Sequence, residues 1–159
     1  MIKTILASSI LLLASTAAAA AAQDELTLFD KLERSIKENM PEWTLAYRAP
    51  NPNPKYKVIM YQWNAAGREI SVWMTALSSP EKAARRFSEL FGDEATEKVT
   101  LCDIGDKCYE WGGGSNESGS LAFRDANVIV RINAERIAEG PAYLLRRFAF
   151  FIAEEIPAV

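Results

Sequence analysis

The sequence predicts an α+β fold: a mostly antiparallel sheet with about three helices packed on it, one domain behind a signal peptide. Three observations carry this. Apolar residues recur at helical spacing in three mature segments, short alternating segments separated by turn residues fill the rest, and the N-terminus has the layout of a secretion leader.

The leader comes first. Lys3 supplies a cation, Ile5 to Leu13 is apolar, and Ala17 to Ala22 offers small residues for a signal peptidase. Ala20 and Ala22 satisfy the small-x-small rule, so cleavage is expected after Ala22, with sites after Ala19 to Ala21 as close alternatives, giving a signal peptide over 1–22 and a domain over 23–159. The alternative, a retained anchor, is disfavoured because Ser8, Ser9, Ser15 and Thr16 weaken the apolar run. The expected location is outside the cytoplasm, periplasmic or secreted, with no membrane span in the mature chain.

The first mature helix carries Leu28, Phe29, Leu32, Ile36 and Met40 on one stripe, with Asp30–Arg34 and Glu33–Lys37 as i, i+4 pairs, and Pro41 stops it. Trp43 to Arg48 alternates as a short strand. Pro50, Pro52 and Pro54 then break any ladder, which predicts an extended surface loop. Tyr56 to Trp63 and Arg68 to Leu77 read as a hairpin turning over Asn64 to Gly67. With Trp63 opposite Arg68, Ile59 faces Val72, Tyr61 faces Ile70 and Val58 faces Trp73. One face of this hairpin is apolar. The other mixes Val58, Met60 and Trp73 with Gln62, Glu69, Ser71 and Thr75, greasier than a wet face needs.

Ser79-Pro80-Glu81 opens the second helix with a cap, a proline at the first position and an early acid. Ala83, Ala84, Phe87, Leu90 and Phe91 form its stripe, and Gly92 fits its C-terminal cap. Strands over Lys98 to Cys102 and Cys108 to Trp111 flank a turn. A glycine-rich loop runs from Gly112 to Gly119, and Ser120 to Arg124 and Val128 to Asn133 form a last hairpin. The final helix runs from Pro141 to before Pro157. Tyr143, Leu144, Leu145, Phe148, Ala149, Phe151, Ile152 and Ile156 cover most of its circumference, so it is expected to be largely buried.

Composition excludes much chemistry. The chain of 159 residues has no histidine, which removes Ser-His-Asp and Cys-His catalysis. No Ser-x-x-Lys stands in the mature chain. A leader bearing Lys3 and no acid leaves the domain one unit more negative than the formal −3, which argues against nucleic acid. The two cysteines, Cys102 and Cys108, enclose a five-residue turn-like insert, and an exported setting favours a bridge between them. They lack the spacing of a redox motif and the ligand number of a zinc site. The sequence calls for no cofactor, no metal and no catalytic residue.

Two features invite a functional reading. Asp103, Asp106 and Glu110 would have to gather in one cleft to serve an enzyme using acids alone; otherwise they form an acidic turn. Trp63, Trp73, Tyr109 and Trp111, with Tyr56 nearby, lie on strands or at their ends, several on the more polar face. Exposed rings there would stack on sugars, prolines or cations. The alternative is that helices cover them, since three helices and one sheet leave little surface bare. The arginine pairs Arg85-Arg86 and Arg146-Arg147 read as helix-surface charges before they read as an anion site.

Leu121-Ala122-Phe123-Arg124 turning into Asn127-Val128-Ile129-Val130, followed by a buried helix, resembles secreted bacterial α+β sensor and accessory domains. The resemblance is confined to the C-terminal part and implies a binding or sensing role. The expected function is an exported non-catalytic domain that binds a protein or an envelope component through Trp63, Trp73, Tyr109 and Trp111. The alternatives are a small exported enzyme built on Asp and Glu, or a secreted inhibitor or effector presenting the proline or glycine loop.

Overall fold

The structure, a computed structural model, describes residues 28, 30–50, 58–92, 100–112, 118–137 and 140–157. The expected leader, the proline loop beyond Pro50, the strand start at Tyr56 and the middle of the glycine loop lie outside them.

Helix α1 covers 30–39, and Met40 N–H closes its last turn on the Ile36 carbonyl before Pro41. Strands β1 (Thr44–Pro50), β2 (Val58–Ala65) and β3 (Arg68–Ala76) form an antiparallel meander. Helix α2 (Pro80–Phe91) follows, then β4 (Thr100–Leu101), β5 (Lys107–Gly112), β6 (Gly119–Asp125) and β7 (Val128–Glu135), and helix α3 (Pro141–Glu155) ends the chain. The sheet order is β1-β2-β3-β7-β6-β5-β4, antiparallel throughout, so two meanders meet through their last strands, β3 and β7. This is the expected α+β domain.

The β2–β3 register differs from the expected one. Trp63 pairs with Ile70, Tyr61 with Val72 and Val58 with Thr75, two residues beyond the predicted alignment. The cause is a tighter turn: Ala65 pairs with Arg68, and only Ala66 and Gly67 lie between them, at φ 48° and 78°. Two successive positive φ values match the twist of the flanking strands. A shift of two residues keeps every side chain on its predicted face.

The two faces receive different cover. Leu32, Ile36 and Met40 of α1 join Leu145, Phe148 and Ile152 of α3 over Tyr61, Trp63, Val72, Phe123, Val130 and Ile132 on one face. Among the described residues only α2 serves the other, where Ala83, Phe87 and Phe91 pack on Tyr109, Ala122 and Ile129. A helix about 10 Å across covers about two strands at a spacing of about 4.8 Å. One helix therefore cannot close this side of the sheet, and α2 sits over the β5–β7 half.

Side-chain contacts seat the helices. The Ser79 hydroxyl accepts from Lys82 N–H as the expected cap of α2. At Gly92 the chain is still right-handed, φ −63°, and its N–H bonds the Ser88 carbonyl rather than closing a left-handed cap. Asp30 and Glu33 pair across to Arg48 of β1, at 3.2 and 3.5 Å, where pairs along α1 were expected. Arg85 and Arg86 of α2 both engage Glu89, at 3.9 and 3.2 Å. On α3, Tyr143 is 68% exposed, contrary to expectation, and Phe150 joins it on the outer side at 54%.

Cys102 and Cys108 form the expected disulfide across the turn before β5. Gly105 in that turn has φ +63°, and a Cβ there would meet the Arg124 carbonyl oxygen at 2.6 Å, so the hairpin docks on β6 only with glycine. No helix among the described residues is long and apolar enough to cross a membrane.

Candidate functional site

The site is the part of the sheet on the α2 side that α2 does not reach. Alternation along each strand sends one residue of every pair to this side. Cross-strand pairing then lines up Tyr47, Gln62, Ser71, Asn133, Ser120 and Trp111 in one row, one residue from each of β1, β2, β3, β7, β6 and β5. An aromatic ring stands at each end and four amides or hydroxyls lie between. The neighbouring row runs Met60, Trp73 and Arg131 before it passes beneath α2 at Ala122 and Tyr109.

These side chains are accessible. Tyr47 is 49% exposed, and Met60, Gln62, Ser71, Trp73, Arg131 and Asn133 are each partly open to solvent. The row ends in an open pocket of about 200 Å³ between Trp111, Ser118, Ser120, Asn133 and Glu135. Gly112, at φ +79°, lets β5 approach β6 there: a Cβ on it would sit 3.2 Å from the Gly119 Cα.

Polar contacts fix the middle of the row. Arg131 Nε donates to Asn133 Oδ1 at 3.3 Å, and the Ser120 hydroxyl donates to the same oxygen at 3.0 Å. A guanidinium Nε–H only donates, so the carbonyl end of the amide must face it. The Asn133 Nδ2 group is thereby turned away from both. The Arg131 guanidinium lies 5.6 Å from the Trp111 ring centroid, a cation–π arrangement. Among the described residues no carboxylate pairs with Arg131, whereas Glu69 is held by Arg136 at 2.7 Å and Glu110 by Arg146 at 2.7 Å.

The four aromatic candidates divide. Trp63 is 1% exposed and lies on the opposite face, stacked on Tyr61 at 5.1 Å and against Phe148, so it presents no surface. Tyr109 is buried under α2, stacked on Phe87 at 5.5 Å. Trp111 and Trp73 are both half-buried: Trp111 sits at the edge of α2, touching Phe91, and Trp73 is not part of the α2 cluster. Trp73 lies outside the α2 cluster because α1 and α3 stack on the opposite face of the sheet. Sequence alternation placed Trp73 correctly on the mixed side. What it missed are Asn133, Ser120 and Arg131, which join the row only through the long-range β3–β7 pairing.

The acidic trio does not converge. Asp106 accepts from Arg124 at 2.6 Å and from Ala126 N–H, Glu110 points to α3, and Asp103 is exposed at the turn. No group of three or more metal-ligating side chains occurs among the described residues. Nor do the arginine pairs form an anion site, since Arg147 reaches the Asn39 carbonyl and lies over Tyr143. On α3, Tyr143 and Phe150 are single exposed rings, the first beside Arg147 and the second against Phe151.

No protein-family model, no curated protein and no solved structure matches the chain.

Proposed function

We propose that this chain is an exported, non-catalytic domain that binds a partner protein or an envelope component with the open half of its sheet. The observation that supports the reading is the row from Tyr47 to Trp111, flanked by Trp73 and Arg131. Trp, Tyr and Arg are the side chains that carry most binding energy where surfaces meet. Here four such side chains share an accessible face, Tyr47, Trp73, Trp111 and Arg131, with no acid engaging the arginine among the described residues. The leader-like N-terminus and the disulfide support export.

The test immobilises residues 23–159 and compares retention of envelope-extract components by the wild type and by Trp73→Ala, with thermal midpoints measured in parallel. A bound species lost from Trp73→Ala while the variant stays folded, its midpoint lowered by a few degrees at most, supports the reading. Equal retention by both overturns it. Export is tested by fractionation, which should find the chain outside the cytoplasm and processed near Ala22.

A further inference from the structure

We infer that the open face takes a carboxylate-bearing oligosaccharide, laid along the row from Tyr47 to Trp111 with an acid group on Arg131; this rests on the binding reading above. The centre of a protein interface is depleted in serine and built from desolvated apolar anchors. The centre of this row is the reverse: Gln62, Ser71, Asn133 and Ser120, joined strand to strand. Each of these side chains both donates and accepts hydrogen bonds, as a sugar hydroxyl does. A polyhydroxylic chain satisfies such a row without leaving buried polar groups unpaired.

Geometry agrees with the composition. Neighbouring strands offer one side chain about every 4.8 Å, a step close to one pyranose unit, so the row spans roughly 24 Å. Tyr47 and Trp111 end it with rings whose electron-rich faces suit the C–H face of a sugar. The pocket of about 200 Å³ at the Trp111 end has room for a single ring. Asn133 is already oriented by Arg131 and Ser120, with its Nδ2 left to donate to a ligand. Preset side chains of this kind lose little freedom on binding.

Charge selects among saccharides. Arg131 lies between its cross-strand partner Trp73 and the ring of Trp111, with no carboxylate from the described residues on its guanidinium. The nearby Glu69 is taken by Arg136. A uronic-acid or similar carboxylate is the group that would complete this cation, through charge-assisted hydrogen bonds.

The experiment titrates the 23–159 domain with tetragalacturonate, cellotetraose and a tetraglutamate peptide, following heat release and tryptophan fluorescence. Tetragalacturonate is expected to bind, more weakly as salt is raised, and Arg131→Gln to weaken it about tenfold. Trp73→Ala should weaken it too, with the domain still folded and its thermal midpoint lowered by a few degrees at most, and Lys37→Gln on the exposed side of α1 should leave it unaltered. Equal binding of cellotetraose, insensitive to Arg131→Gln, overturns the acid requirement. Binding of tetraglutamate in preference to both saccharides overturns the saccharide assignment. If no tetramer binds while Trp73-dependent capture from envelope extract persists, the saccharide inference falls and the binding reading stands. If that capture ignores Trp73, the binding reading itself falls.

Discussion

Trp63 and Trp73 belong to one hairpin and point to opposite sides of the sheet: Trp63 is 1% exposed against Phe148, whereas Trp73 stands on the open side across from Met60 and Arg131. The same mutation therefore has two outcomes. Trp63→Ala removes a large ring from a packed core and should cost about 3–5 kcal/mol. Trp73→Ala leaves no enclosed cavity and should cost about 1 kcal/mol or less. Urea unfolding of the two variants checks the difference.

Arg146 and Glu110 make a second contrast. The carboxylate of Glu110 is 8% exposed while the arginine is 53% exposed, so the pair is a buried acid held by a screened cation. Arg146→Leu should destabilise the domain by about 1 kcal/mol, the usual cost of an unmatched buried group discounted for solvent screening. Glu110→Gln with Arg146→Leu should recover part of that loss, because the remaining buried group is neutral. A double-mutant cycle in urea measures both.

At the β6–β7 turn, burial and then the neighbouring Asp106 charge push the Asp125 carboxyl above its ordinary range. Folding therefore disfavours its ionised form. At low pH, where it is protonated folded and unfolded, it carries no penalty. The penalty grows as pH rises through the unfolded-state value of about 3.9 and is complete above the raised folded value. Asp125→Asn should raise the thermal midpoint at pH 7, and that advantage should vanish below about pH 4. Melting curves across this range check the sign.

The Cys102–Cys108 bridge closes a short loop, sequence separation 6, for which chain entropy gives about 2 kcal/mol. Cys102→Ser with Cys108→Ser should lower the unfolding free energy by about that amount, moving the urea midpoint to lower concentration. Because the turn also docks through Gly105 and the Asp106–Arg124 pair, the double variant should still fold.

The elements were legible because their signals are local. Ser79-Pro80 announces α2, Val128, Val130 and Ile132 alternate, and the stripe from Leu144 to Ile152 needs a sheet to cover. The β2–β3 register was misplaced by two residues because positive φ at Ala66 is not a preference that alanine advertises. The site was half legible. Alternation put Trp73 on the mixed side, yet nothing in the chain says that β3 pairs with β7, and that pairing alone brings Asn133 and Arg131 beside Ser71 and Trp73. Nor does a helical stripe state which face it will cover. Both α1 and α3 chose the Trp63 side, and this left the Trp73 side to α2.

The most direct measurement places p-benzoylphenylalanine at Ser71, in the middle of the row, or at Phe150, on the outer side of α3, and irradiates each domain in envelope extract. A photo-adduct that forms from position 71 and not from position 150, and that Trp73→Ala suppresses, is the predicted result. Adducts from position 150 with none from position 71 would contradict the account.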